Sequence, residues 1–297
     1  MRFGEHVPGA RSRRLSHKAP ALLLDLWGLP NTISASSLHR RLRRGYAGAA
    51  FRIRRASDSV ERDIPFNDAD FVDWRVVDAF CAGTNGFVVT AYDQGAGGYD
   101  LTQVVTSNQP KVFDSVTGRV VNATGKPSAY FDGADSLQST YAGTSLTGTS
   151  PALSTAIAMQ AISLPGTRVA SAFGTNSAGG HWAVAVTTTS TEVTATASGR
   201  NRTFTCNAIT DSHGYTIQKA VNATASAFTA TQDGTTLAEA SVTSGGSGLS
   251  LASHVVRWGA ASSGANLEMY SNLHIIVQKD LSATELLHLQ YEFGFHA

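Results

Sequence analysis

Cysteine is almost missing from this chain: Cys81 and Cys206 are its only two thiols among 297 residues. They stand too far apart to form a metal-binding pattern, and no framework of paired cysteines can be drawn. A Cys81–Cys206 bridge is the one pairing the sequence leaves open. Long apolar runs are missing as well. A membrane span needs roughly 18 consecutive apolar residues, and the nearest candidate, Ala19 to Leu26, is short and broken by Asp25. Arg2 and the basic residues after it lack an apolar stretch with a cleavage site, so no secretory signal is expected. Charge is sparse too, at 15% of residues. With Gly, Ala, Ser and Thr abundant, this composition suits a tightly turned β protein.

The charge that is present is unevenly placed. Residues 1–62 hold 13 Lys and Arg against 4 Asp and Glu, and the remainder holds 10 against 18. Residues 1–35 read as an extended basic arm, with Arg2, Arg11, Arg13, Arg14 and Lys18 as anchoring residues for an acidic partner; a solvated tail is the plain alternative. Nucleic acid is not expected as a partner, because the arm carries no recognised binding motif.

Residues 36–297 read as one β domain. Phe51-Arg52-Ile53-Arg54 alternates apolar and charged residues, the pattern of a half-exposed strand. Its arginines have the chemistry to hold phosphate or carboxylate, or to pair with Asp58 and Glu61. Asp70 to Cys81 reads as a helix capped by Asp70, with Val72, Val76, Ala79 and Phe80 on one face. Ala129 to Asp132 is a strand entering an Asp-Gly turn of the hairpin kind. Further strands are expected at Thr155 to Ile162, His181 to Thr187, Glu192 to Ala197, Arg202 to Ile209, Ala227 to Thr231, His254 to Trp258 and Leu273 to Val277. Ser282-Ala283-Thr284-Glu285 is a capping box between Leu281 and Leu286, predicting a short closing helix. This cadence predicts a mainly β fold: an antiparallel concanavalin A-like sandwich, or jelly roll, with a few short helices.

The stretch from Ala79 to Pro110 carries a resemblance. AFCAGT, an apolar strand, YDQ followed by a glycine-rich loop, and LTQ resemble the catalytic domain of the α-L-arabinofuranosidase B family. A close variant, with arginines and Ser-Asp upstream, is similar to virion proteins of tailed bacteriophages. In the arabinofuranosidases a second cysteine follows the first. Here that position is Gly86, so the family's disulfide is lost, which fits assembly in a reducing cytosol.

The family's hydrolysis requires two carboxylates. The resemblance places the nucleophile's segment near Thr196 to Arg202 and the donor's near Gly259 to Asn266. No acid lies between Glu192 and Asp211, or between Glu239 and Glu268. Glu192 and Glu268 are the nearest candidates for displaced carboxylates. The family's adjacent-cysteine pair is also missing around Arg168 to Gly174.

These gaps lead to the expectation of a non-enzymatic structural protein of a tailed-phage virion: a tail fibre, a spike or a capsid decoration. It would be made in the host cytoplasm and docked by the basic arm on capsid, portal or tail proteins. It would also associate with itself, as a trimer for instance, and meet host-surface polysaccharide through Asp93, Gln94, Tyr99 and Trp182. A free lectin-like module and an arabinofuranosidase-like hydrolase are the alternatives. No cofactor or metal is expected. Asp93, Asp132 and Asp135 have the chemistry for Ca²⁺, but turn-stabilising roles are the commoner use of such residues. Three Asn-x-Thr sites, at Asn122, Asn201 and Asn222, matter only in a secretory pathway.

Overall fold

The computed structural model describes residues 21–28, 32–141, 152–163, 166–174, 181–186, 192–197, 200–219, 228–244, 254–260 and 266–293. In chain order these form α1 (Leu23–Trp27), β1 (Thr32–Ser37), β2 (Phe51–Arg55), β3 (Glu61–Ile64), α2 (Trp74–Phe80) and β4 (Gly86–Ala91). Then come β5 (Leu101–Thr102), β6 (Lys111–Asp114), β7 (Gly118–Arg119), β8 (Ala129–Asp132), β9 (Leu137–Tyr141) and β10 (Leu153–Ser163). Next are β11 (Arg168–Gly174), β12 (His181–Val186), β13 (Glu192–Ala197), β14 (Arg200–Thr205) and β15 (His213–Lys219). The chain closes with β16 (Phe228–Gln232), β17 (Thr235–Thr236), β18 (Ala238–Ser244), β19 (His254–Trp258), β20 (Glu268–Val277) and α3 (Ala283–Phe293).

The strands build an antiparallel sandwich. One layer runs β16–β15–β10–β20, and the far edge of β20 is shared by β1 and β8. The other runs β9–β19–β11–β12–β13–β14–β18. Strands β4, β5 and β6 join the two, since β6 pairs with β8 and β5 with β9.

Two tryptophans lock the layers together. Trp182 on β12 is fully buried, and its indole N–H donates to Thr155 Oγ1 on β10 at 2.8 Å. Trp258 on β19 donates to Ser271 Oγ on β20 at 3.0 Å and stacks on the His274 ring. A buried indole N–H needs such a partner, so each ring supplies apolar area and fixes the register between layers. Burial holds the imidazole of His274 neutral, pushing its pKa down to about 3.

A second apolar cluster lies on the outside of the first layer. Leu23, Leu24 and Trp27 of α1 pack with Leu289 of α3 over Ala35, Leu273 and Ile275. The boundary expected at residue 36 therefore falls inside β1, and residues from Leu22 onward belong with the sandwich. The physical reason is non-local: α1 is too short to show periodicity, and α3 and β20 bury it. Met1 to Pro20, including Arg2, Arg11, Arg13, Arg14 and Lys18, lie outside the described residues.

Several local expectations change in register. Helix α2 begins after Asp73, whose carboxylate accepts from the Arg75 amide; Asp70 instead has φ +66° and cannot cap it. Gly83 takes the left-handed conformation just past the helix, at φ +76°. The Asp132-Gly133 turn is not a hairpin, because β8 pairs with β20 and β6 while β9 crosses to β19. Two arginines of β2 pair locally, Arg52 with Asp63 and Glu61 and Arg55 with Asp58, while Arg54 donates to Gln109 Oε1 at 2.8 Å. The capping box closes as read, with the Ser282 amide donating to Glu285 at 2.9 Å. Among the described residues no helix is long and apolar enough to cross a membrane.

Candidate active site

The loop after β4 is glycine-rich, but its polar side chains turn inward. Asp93 is 5% exposed, and its carboxylate accepts from the amides of Ala35, Gly95 and Tyr99 at 2.8 to 3.0 Å. Gln94 is fully buried; its amide donates to the Ala35 carbonyl, and its Oε1 accepts from the Leu42 amide at 2.7 Å. The loop thus pairs with the edge of β1 that β20 leaves free. Tyr99 packs half-buried against the core, and Trp182 is enclosed between the layers. The structure does not bring these four residues together on a surface; they stabilise the loop and the sandwich.

Carboxylates meet elsewhere, where β8 ends beside the start of β20. Asp132 and Glu268 are directly opposed across the ladder, as are Tyr130 and Tyr270. Alternation puts these four side chains on one outward face, while Phe131 and Met269 point into the core. Opposed residues in an antiparallel pair hold their β-carbons roughly 4.5–5.5 Å apart, so the two carboxylates are neighbours. The Tyr130 hydroxyl donates to Glu268 Oε1 at 2.6 Å, and burial together with that bond keeps the phenol protonated far above its ordinary range.

Asp132 is exposed and its Oδ1 accepts from the amides of Ala134 and Asp135, at 2.8 and 3.1 Å. Behind it, Asp135 is 4% exposed and accepts from the Asp132 amide at 3.1 Å. Burial pushes the Asp135 carboxyl up to about 7, and the neighbouring Asp132 charge adds to the shift. The turn joining the two carries Gly133 at φ +87°, a conformation that favours glycine. Among the described residues no group of three or more His, Cys, Asp or Glu is arranged to hold a metal ion.

A groove of about 290 Å³ opens next to this face, between the β6–β7 hairpin and the tyrosines. Lys111, Asp114, Thr117, Arg119, Tyr130 and Tyr270 line it over Val120 and Val121. Lys111 donates to Asp114 at 2.9 Å, which with the Val116 and Thr117 amides pulls that carboxyl down to about 2. Arg119 is held by Asp78.

Comparison with known proteins bears on this face. A family model described as "Alpha-L-arabinofuranosidase B, catalytic" matches residues 25–137. That span ends just past Asp135. Curated relatives include alpha-L-arabinofuranosidase B of Aspergillus oryzae, 33% identical over 93 residues, covering 31% of this chain and 18% of that protein. The enzyme of the same name from Emericella nidulans is 34% identical over 93 residues, covering 30% and 18%. The chain thus spans under a fifth of the length of the curated relatives it matches. A solved GH54 α-L-arabinofuranosidase, soaked with a cyclic sulfate inhibitor, superposes over 88% of this chain and 62% of its own, at TM-score 0.62 and 14% identity. An arabinofuranosidase complexed with arabinofuranosyl-α-1,2-xylobiose covers 91% and 64%, at TM-score 0.58 and 13% identity. The fold is shared.

These matches correct the expectation of a non-enzymatic virion protein, with its tail-fibre and capsid-decoration roles. Residues 25–137 match the model of a catalytic domain, and the sandwich has the fold of solved arabinofuranosidases. The expectation of a non-enzymatic protein rests on two acid-free segments. Thr196 on β13 and Gly259 after β19 are separated by β11 and β12, about 14 Å at the usual spacing between strands. Gly259 sits over Phe131, whose ring a β-carbon there would meet at 2.4 Å. The donor's segment therefore meets the inner face of β8, while Asp132 and Glu268 stand on the outward face of β8 and β20, strands that the segment's own sequence does not include. Glu268 had a visible signal as a displaced carboxylate; Tyr130, Tyr270 and the groove had none.

Proposed function

We propose that this chain is an arabinofuranosidase-like glycoside hydrolase acting on α-L-arabinofuranoside linkages. One observation carries the reading: the stretch matching the arabinofuranosidase B catalytic domain ends just past Asp132, which faces Glu268 across the β8–β20 ladder on an open face. Glycoside hydrolysis asks for one carboxyl that delivers a proton to the leaving oxygen and one carboxylate that acts at the anomeric carbon or on water. Glu268, oriented by the Tyr130 hydroxyl, takes the second role. Asp132 reaches the leaving oxygen, and Asp135 behind it keeps a proton available up to near-neutral pH. Two carboxyls sharing a site cannot both ionise freely, which is the usual way to hold an acid ready.

The test is release of 4-nitrophenol from 4-nitrophenyl α-L-arabinofuranoside. Glu268→Gln and Asp132→Asn should each lower kcat by about 10²–10⁴-fold, the usual worth of a positioned acid or base. Activity should fall as pH rises past about 7, where Asp135 loses its proton. A wild-type chain without turnover, or variants that retain full turnover, would sink the proposal.

A further inference from the structure

We infer that the groove beside the carboxylate face is an accessory subsite for a neutral sugar, separate from the bond being cleaved. Its volume, about 290 Å³, lies just under the roughly 300–1,000 Å³ of pockets that take drug-sized ligands. That space suits one or two sugar rings. Its lining combines what a sugar needs: Tyr130 and Tyr270 offer aromatic surface for the ring's C–H groups, with ring centroids 5.3 Å apart. Lys111 and Arg119 donate, Asp114 accepts, and the Thr117 hydroxyl does both.

The charge arrangement selects among sugars. Lys111 is already paired with Asp114, and Arg119 with Asp78. Neither cation is left to reward a carboxylate-bearing sugar, and displacing either acid would strand its charge. Polar pairs of this kind hydrogen-bond hydroxyl groups without favouring an anion. The groove is continuous with the candidate active site through Tyr130, which lines the one and orients Glu268 in the other. A glycan chain whose terminal unit meets Glu268 would therefore lay its next units between the tyrosines and the β6–β7 hairpin. The kind of ligand rests on the glycoside reading above; the occupancy of the groove does not.

The experiment is calorimetric titration of the full chain with a neutral arabino-oligosaccharide and with a galacturonate oligosaccharide of equal length. It is run on the wild type, on Thr117→Trp, which fills the groove from an exposed turn, and on Arg119→Gln. The expected result is binding of the neutral probe, weakened at least tenfold by Thr117→Trp and several-fold by Arg119→Gln. Neutral binding that is indifferent to Thr117→Trp overturns the subsite, and so does absence of binding by the wild type. Tighter binding of the galacturonate probe overturns the preference for neutral sugars. Groove-dependent binding without any hydrolysis supports the subsite while refuting the hydrolase, so the two proposals fail separately.

Discussion

Position 86 lets the packing of the matched segment be tested by one substitution. In the arabinofuranosidases that this stretch resembles, a second cysteine stands there; here Gly86 opens β4, against Arg55 on one side and Phe113 on the other. A β-carbon at residue 86 would lie 2.7 Å from Cys81 Sγ, 2.7 Å from Ile53 Cδ1 and 3.2 Å from Phe113 Cβ. Gly86→Ala should therefore destabilise by about 1–3 kcal/mol, the usual cost of overpacking a filled core. Gly86→Cys meets the same crowding while reduced. Oxidised, its contact with Cys81 becomes a covalent bond, and the loop closed is only a few residues long. Loop-closure entropy for such a ring gives about 2 kcal/mol. We expect oxidised Gly86→Cys to exceed its reduced form by about that amount in urea unfolding, with Gly86→Ala tracking the reduced form. Burial raises the Cys81 thiol to about 11, so thiolate is scarce at neutral pH and the bridge should form faster in alkaline buffer. Thiol titration in denaturant should fall from three groups to one, leaving Cys206. Three titratable thiols after alkaline oxidation, or an oxidised form no more stable than the reduced one, would refute the placement of Gly86 against Cys81.

Two further outcomes follow from individual side chains. The Asp135 carboxyl is raised in the folded state, so the native protein binds more protons than the unfolded chain between about pH 4 and 7, and stability falls as pH rises through that window. Asp135→Asn should flatten that slope and leave the protein more stable at pH 8, by at most about 4 kcal/mol at 1.36 kcal/mol per pKa unit; equal slopes in urea unfolding at pH 5 and pH 8 would contradict it. Ser282→Ala removes the hydroxyl that accepts from the Glu285 amide and donates to its carboxylate, and should cost about 1 kcal/mol in the same assay.

What the sequence makes legible here is what neighbours along the chain decide. The capping box at Ser282 needs only Ser282 and Glu285, three residues apart, and it forms as read. Strands Glu192–Ala197 and His254–Trp258 have the ends expected of them, because alternation and flanking turns are local signals. The start of α2 is misplaced by three residues because two aspartates compete, and only the backbone shows that Asp70 is left-handed. Asp93 and Gln94 look like a polar loop offered to a ligand. Their partners are Ala35 and Leu42, more than fifty residues upstream, and those contacts turn the loop inward. The carboxylate face is less legible still, since Asp132 and Glu268 meet only through the pairing of β8 with β20. The acid-free stretches around Thr196 and Gly259 exclude a carboxylate only from their own strands. In a sandwich, strands that face each other come from distant parts of the sequence, and a carboxylate absent from one layer can be supplied by the other. If Glu268→Gln abolishes turnover while Glu192→Gln leaves it intact, this chain carries its carboxylates on β8 and β20. If Glu192→Gln is the damaging change, the site lies on the other layer.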